Sequence, residues 1–174
     1  MASPIAWNES LIQNRACLEK GKSRMKWITR ERPKVDRIAC PWLIVPFIDK
    51  EAEFLFVPPG EVMKTAETTG ATPFDVPGVE LTHDGPRCSF DAILKKYKLK
   101  DHALEELATI VRGADTSRPD LAPQCPGLLA ISLDLSHVFK DDHEQLRHGL
   151  VLYDALYAWC RQVHGEKHDW NPQR

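Results

Sequence analysis

The stretch from residue 35 to residue 44 reads Val-Asp-Arg-Ile-Ala-Cys-Pro-Trp-Leu-Ile. It sets an acid, a base, a thiol and an indole into a run that is otherwise typical of a buried helix. The segment 26–30 before it alternates polar and apolar residues, as a strand does. The segment 53–57 after it is rich in aromatic and β-branched residues and predicts a second strand. This order predicts a βαβ unit, in which a site forms where a strand ends and the helix starts.

The composition limits the class of protein. The chain has 174 residues, enough for one domain with a core, and its 43% hydrophobic and 28% charged residues argue against overall disorder. The formal net charge of -2 argues against unaided nucleic-acid binding. No apolar run reaches the roughly 18 residues of a membrane span, and residues 1–24 lack the pattern of a secretion signal. Five cysteines without paired short spacings do not suggest a disulfide framework, so we expect a reducing, cytoplasmic location.

The pattern of elements predicts an α/β (α+β) fold, a mainly helical single domain with a small three-stranded sheet. The third strand is expected at 79–83, where polar and apolar residues alternate. Residues 1–24 are interpreted as an N-terminal arm or extension, 25–163 as the domain and 164–174 as a polar C-terminal tail. Further helices are predicted over 61–68, 90–97, 101–112, 128–139 and about 141–163.

A proline and a glycine are predicted to interrupt helices. Pro41 stands too deep for the first turn of the first helix, so it should kink that helix or delay its start. The helix over 101–112 is expected to break sharply at 113–116, where Gly113 either lets the backbone approach another element or takes a positive φ. The helix over 128–139 is apolar enough to be buried.

Asp36, Arg37 and Cys40 are the first group of candidate site residues. On a helix Asp36 and Cys40 lie one turn apart on the same face, and Arg37 neighbours both. A functional interpretation uses Arg37 to bind an anion and Cys40 as a thiol. An equally weighted interpretation makes Asp36 an N-cap, Arg37 a surface charge and Cys40 a small buried hydrophobic residue.

His83 and Cys88 are the second group. They lie five residues apart across a tight turn, so both can reach one cation, and Asp115 could supply a third ligand. Cys40 and His143 are other possible third ligands. The pattern predicts a transition-metal site only weakly, because it contains neither a CxxC nor an HExxH motif. A capping histidine and a buried thiol explain the same residues.

Two more charges are candidates. Arg112 could join Arg37 in holding a doubly charged anion through paired N–H donors, or it could simply neutralise a helix C-terminus. Asp154 has mostly apolar neighbours on its predicted helix, so we expect it to point inward and to need a cationic partner, such as Arg147, or a metal. The amides at the helix start after Cys88 form a further candidate anion pocket.

Several of these stretches together resemble the C-terminal domain of the bacterial chromate-resistance protein family (ChrB-type). The resemblance covers about Met25 to Arg161, although the family tends to carry basic residues where Val45 and Pro46 stand here. The matching stretches are 26–30, 36–44, 52–57, 83–91, 110–116 and 153–160. The candidate residues that fall on family motif positions are Asp36, Arg37, Cys40, His83, Cys88, Arg112, Asp115 and Asp154.

The resemblance implies a chromate-responsive regulator or accessory protein of an efflux operon. Longer family members have an N-terminal DNA-binding part, for which 24 residues are too few, so direct operator binding is not implied. The leading hypothesis is a domain that binds chromate or a similar oxyanion through Arg37 and Arg112, with Cys40 or Cys88 reporting oxidation. One alternative is a metal-binding protein or metalloenzyme that uses His83, Cys88 and Asp115. Another is an interaction module whose residues 1–24 dock a separate DNA-binding partner.

Overall fold

A computed structural model describes residues 24–162. Its sheet has three parallel strands in the order β2-β1-β3. β1 (Lys26–Arg30) and β2 (Glu53–Val57) match the two predicted strands, and β3 is the short Thr72–Pro73. The predicted arm over 1–24 and the predicted tail over 164–174 lie outside the described part of the chain, apart from Arg24.

Helices form most of the described chain, which confirms a mainly helical α/β domain with a small three-stranded sheet. Short 3₁₀ turns occur after β2, at Pro59–Glu61, and at Pro119–Leu121. Within residues 24–162 the α-helices are α1 (Asp36–Phe47), α2 (Val62–Thr69), α3 (Ser89–Tyr97), α4 (His102–Asp115), α5 (Cys125–Val138) and α6 (Asp142–Gln162).

The two faces of β1 bury different clusters. Trp27 packs in the main core with residues of α1, α3, α4 and α6, whereas Ile28 packs with Val62 and Ala66 of α2. This alternation follows from the period of two in a strand. The sheet is therefore covered on both faces, as parallel sheets are.

The third strand was predicted at the wrong place. Residues 79–83 contribute only an isolated bridge between Leu81 and Phe74, and the strand that pairs with β1 on the side away from β2 is Thr72–Pro73. A proline lacks the N–H that a longer ladder would need, so β3 stays short and leaves no periodic signal in the sequence. Phe74, directly after β3, is fully buried.

The first helix starts at Asp36 with Pro41 inside it, so of the two predicted effects of this proline the delayed start does not occur. The residue before it, Val35, has φ 33° and ψ -94°, an unusual conformation for a β-branched side chain. The helix predicted over 101–112 continues through Gly113 and ends at Asp115, which lies inside the stretch 113–116 where the break was predicted. A Cβ on Gly113 would lie 2.3 Å from the Cys125 Sγ atom, so this glycine permits the close approach of α5.

The fifth helix is not buried as its apolar sequence predicted. It turns Ser132 and Ser136 inward and exposes Ile131, Leu133 and Val138. None of the helices within 24–162 has both the length and the apolar character needed to cross a membrane.

Candidate functional site

Four side chains from separate parts of the fold converge beyond the carboxyl ends of β1 and β3. Asp36 begins α1 after β1, Asp75 follows β3 by two residues, and Asp115 ends α4. His83 directly precedes the tight turn that joins Asp84 to Arg87. Because β1 and β3 are adjacent and parallel, the loops after them meet at one edge of the sheet. We call Asp36, Asp75, His83 and Asp115 the aspartate–histidine cluster.

The distances within this cluster suit a common ligand. One donor atom each from Asp36, Asp75 and His83 lies within 4.8 Å of the others. The Nε2 atom of His83 lies 3.0 Å from Asp115 Oδ2, 3.5 Å from Asp75 Oδ1 and 3.8 Å from Asp36 Oδ2. Asp36 is 1% exposed, whereas the His83 side chain is 40% exposed, so the cluster opens to solvent on the histidine side.

The Asp36 carboxylate caps the third helix. It accepts the backbone N–H of Ser89 at 2.6 Å on Oδ2 and that of Phe90 at 3.1 Å on Oδ1. The Cys40 Sγ atom lies 3.6 Å from the same Oδ1, which makes it a weak donor to Asp36. The anion pocket predicted at the start of this helix therefore already holds a carboxylate of the chain itself.

Asp75 is a member of the cluster that the sequence interpretation missed. Its Oδ2 atom lies 2.8 Å from the Arg30 guanidinium and 3.3 Å from Nε of Arg37, and its Oδ1 accepts the Ser89 hydroxyl at 3.1 Å. Asp75 has φ 51°, which aspartate tolerates better than most residues. An acid that closely follows the strand beside β1 would have indicated this residue. The sequence pattern does not reveal it, because the pattern predicts that strand at 79–83 instead of at Thr72–Pro73.

The cluster concentrates negative charge. Burial, with the nearby Asp115 and Asp75 carboxylates, raises the pKa of Asp36 from 3.8 to about 8. Burial and Asp75 likewise raise the pKa of Asp115. Three carboxylates this close favour the binding of a proton or a cation over a fully ionised state.

The two arginines expected to share an anion lie in separate ion pairs. Arg37 donates to the carbonyl of Glu31 at 3.0 Å and contacts Asp75, and burial followed by the charge of Arg30 lowers its pKa. Arg112 binds Asp91 through two bonds, 2.9 Å from Nε and 2.7 Å from an Nη atom. Each arginine thus already neutralises a carboxylate of the protein.

The fold brings together only two of the three predicted metal ligands. His83 and Asp115 are in contact, whereas Cys88 contacts a different carboxylate. The Sγ atom of Cys88 lies 3.5 Å from Asp91 Oδ2, and Asp91 also accepts the Cys88 backbone N–H in a capping box. Cys40 and Cys88 are both fully buried, and burial, with the charge of Asp36, raises the pKa of each thiol. Such thiols are unreactive.

Asp154 was predicted to point inward towards a cationic partner, and this is wrong. The residue is exposed, and its Oδ1 accepts the indole N–H of Trp42 at 2.8 Å. Arg147 instead faces Glu144 at 3.8 Å. Helix α6 packs on Trp42 of α1 through Tyr153 and Tyr157, whose ring centroids lie 6.4 and 5.2 Å from that of Trp42. His143, another possible ligand, packs edge-on against Phe56.

Comparison with known proteins shows the family. Residues 27–160 match the family described as ChrB, C-terminal domain. The chain is also 32% identical over 134 residues to Protein ChrB of Cupriavidus metallidurans, an alignment that covers 76% of this chain and 40% of that protein. The chain therefore aligns with less than half of its relative's length. No solved structure matches it. The chain belongs to the ChrB C-terminal domain family.

Proposed function

We propose that this domain is a divalent-cation-binding, regulatory or accessory part of a chromate-resistance system. The observation that carries the proposal is the convergence of three carboxylates and one imidazole, with the Asp36, Asp75 and His83 donor atoms within 4.8 Å of one another. Such a donor set, mostly oxygen with one nitrogen, suits first-row divalent ions.

The local charge balance favours a cation over an anion. Arg30 and Arg37 both bind the Asp75 carboxylate, so they compensate one acid of the cluster. Within ion-pair distance of Asp36 and Asp115, the described residues offer only the His83 imidazole. A divalent ion would neutralise the Asp36 and Asp115 carboxylates, whereas an oxyanion such as chromate would be repelled by them in their ionised form.

The link to chromate rests on family membership. The relative is named Protein ChrB, and the motifs of this chain resemble a family associated with chromate resistance. A cytoplasmic location is part of the proposal, and it is supported by free thiols at all four cysteines of the described part.

Direct binding of an oxyanion is the second candidate function, and a cleft outside the aspartate–histidine cluster favours it. A cleft of about 770 Å³ lies next to Cys88 and is lined by Arg87 and Lys95 as well as by acidic residues. Arg87 and Lys95 make no ion pair with another described residue, unlike Arg37 and Arg112. Chromate would be held there by exposed, flexible cations rather than by a built pocket.

The cation proposal is tested by titrating metal-free protein with Mn²⁺ and Zn²⁺ in a calorimeter. We expect one saturable site, and at least a tenfold loss of affinity in Asp115→Asn, since Asp115 contacts His83 at 3.0 Å. The matched control is Asp134→Asn, because Asp134 and His137 form an exposed pair at 3.2 Å outside the cluster. No saturable binding, or equal losses in both variants, would refute the proposal.

The oxyanion candidate is tested in the same instrument with chromate and with sulfate, before and after loading the metal. Binding that is lost in a Lys95→Ala, Arg87→Ala double variant but kept in Arg112→Ala would assign it to the cleft. Binding lost in Arg112→Ala, with the fold intact, would instead support the pair of arginines. Chromate binding that needs the metal would place the oxyanion on the cation.

A further inference from the structure

Two polar side chains of α6 reach into the loop that leads to Asp36. The Gln145 side-chain amide donates to the carbonyl of Pro33 at 2.5 Å, and the Tyr153 hydroxyl donates to the carbonyl of Val35 at 2.9 Å. Both side chains are fully buried, and both lie on the same face of α6, just over two turns apart. The last helix is therefore bonded to both ends of the segment 33–35, immediately before the site.

That segment is held in a costly conformation. Val35 has φ 33° and ψ -94°, where its β-branched side chain crowds the backbone. Such a conformation persists only when the surrounding structure imposes it. The Val35 carbonyl also accepts the N–H groups of Ile38 and Ala39, so the same peptide starts α1. The Tyr153 hydroxyl of α6 donates to this carbonyl from outside α1.

The direction of the Asp36 side chain depends on this peptide. Asp36 is the next residue, and its carboxylate must meet the N–H groups of Ser89 and Phe90 as well as the rest of the cluster. If the Val35 peptide relaxed to a common conformation, the first turn of α1 would rotate. The carboxylate would then leave the position that brings it near His83 and Asp75.

We propose that Tyr153 and Gln145 are positioning residues for the cation site, which they support by holding the 33–35 loop so that Asp36 faces the cluster. This inference rests on the proposed function. Helix α6 then has a role besides covering the core. A change in the packing of α6 would move the 33–35 loop, and with it Asp36, through the two hydrogen bonds of Gln145 and Tyr153. Residues that orient a metal ligand typically change metal affinity by about tenfold to a hundredfold when they are removed.

The test uses Co²⁺, whose visible absorption reports the geometry of its ligands. We expect Tyr153→Phe to bind Co²⁺ about tenfold more weakly and to show an altered spectrum. Tyr157→Phe is the matched control, since Tyr157 lies one turn further along α6 and its hydroxyl contacts Asp101 at 3.4 Å, away from the cluster. The control should keep the wild-type affinity within about twofold and the wild-type spectrum.

A rescue variant separates positioning from general destabilisation. Glycine adopts positive φ without side-chain crowding, so Val35→Gly should restore part of the Co²⁺ affinity to Tyr153→Phe. If Tyr153→Phe does not fold, Gln145→Met takes its place, since it keeps the length of the side chain and removes the donor. Hydrogen exchange at residues 34–37 should become faster in either variant.

The outcomes distinguish the two proposals. Wild-type Co²⁺ binding that is unchanged in affinity and spectrum by Tyr153→Phe and by Gln145→Met overturns this inference and leaves the cation site standing. Absence of Co²⁺ binding in the wild-type protein overturns the proposed function, and the inference falls with it. A loss in Tyr153→Phe that Val35→Gly does not relieve, with unchanged hydrogen exchange in the loop, also contradicts the positioning role.

Discussion

The carboxylate of Asp36, at the first residue of α1, accepts the backbone N–H of Ser89, at the first residue of α3, at 2.6 Å. One acid thus satisfies the free amides of a helix from another part of the chain and faces the aspartate–histidine cluster. Its charge is favourable next to the positive end of the α3 dipole and unfavourable next to two other carboxylates. This balance makes the charge state of Asp36 sensitive to the binding of a proton or a cation.

Protonation of Asp36 should make the stability of the metal-free protein depend on pH. Its pKa is raised from 3.8 to about 8, so the folded state holds a proton that the unfolded state has lost between these values. The resulting stability is fully present below the lower value and disappears as the pH rises through the upper one. Chemical denaturation of Asp36→Asn should show a smaller decline over this range than the wild-type protein. Parallel curves for the two proteins would contradict the assignment.

Cation affinity should change with pH in the opposite direction. A cation binds the ionised carboxylate, so its affinity should rise as the pH approaches about 8 and a proton should be released on binding. Calorimetry in buffers with different ionisation enthalpies measures that proton. An affinity that is independent of pH would show that Asp36 is not a ligand.

Gly113→Ala should destabilise the protein by ~2 kcal/mol. The added Cβ would lie 2.3 Å from Cys125 Sγ and 2.8 Å from the Arg118 carbonyl, so α4 and α5 would have to move apart. Urea denaturation measures the loss. Gly127→Ala is the control, because nothing lies within 4 Å of its added Cβ, and it should be neutral or slightly stabilising.

Arg112→Ala should cost about 2–3 kcal/mol of folding free energy, because it leaves the Asp91 carboxylate without its two-bond partner. The Asp91 side chain is 8% exposed and that of Arg112 is 26% exposed, so solvent replaces only part of the loss. A double-mutant cycle with Asp91→Asn isolates the pair. The exposed Arg118–Asp120 pair should show no measurable coupling in the same cycle.

Asp154→Ala should destabilise the protein by ~1–2 kcal/mol, since the indole N–H of Trp42 would lose its acceptor. Asp154→Asn keeps an acceptor oxygen and should lose less. Thermal denaturation of both variants provides the comparison. Equal losses would mean that the charge of Asp154, rather than its hydrogen bond, stabilises the contact between α1 and α6.

Cys40 and Cys88 should resist alkylation by iodoacetamide in the folded protein and react when it is unfolded. Both are fully buried, and burial raises the pKa of each thiol, so little thiolate is present. Mass spectrometry of the alkylated peptides measures each site. Rapid labelling of either cysteine under native conditions would restore the hypothesis that a thiol reports oxidation.

The sequence by itself determined the elements with strong local patterns. The alternation at 26–30 and the β-branched and aromatic run at 53–57 predicted β1 and β2 at the right residues. The same patterns placed Asp36 at the start of a helix after a strand, where a parallel sheet presents its site. Such features depend on the period of a few neighbouring residues, and the sequence carries that period directly.

Only the tertiary structure decided which charges meet. Asp75 joins the cluster because the two-residue strand β3 lies beside β1. Arg37 binds Asp75 because the packing brings this carboxylate near it, and a buried charge needs an opposite charge close by. Asp36, Arg37 and Asp115 lie far from Asp75 in the chain, and no local pattern encodes the distances between these side chains.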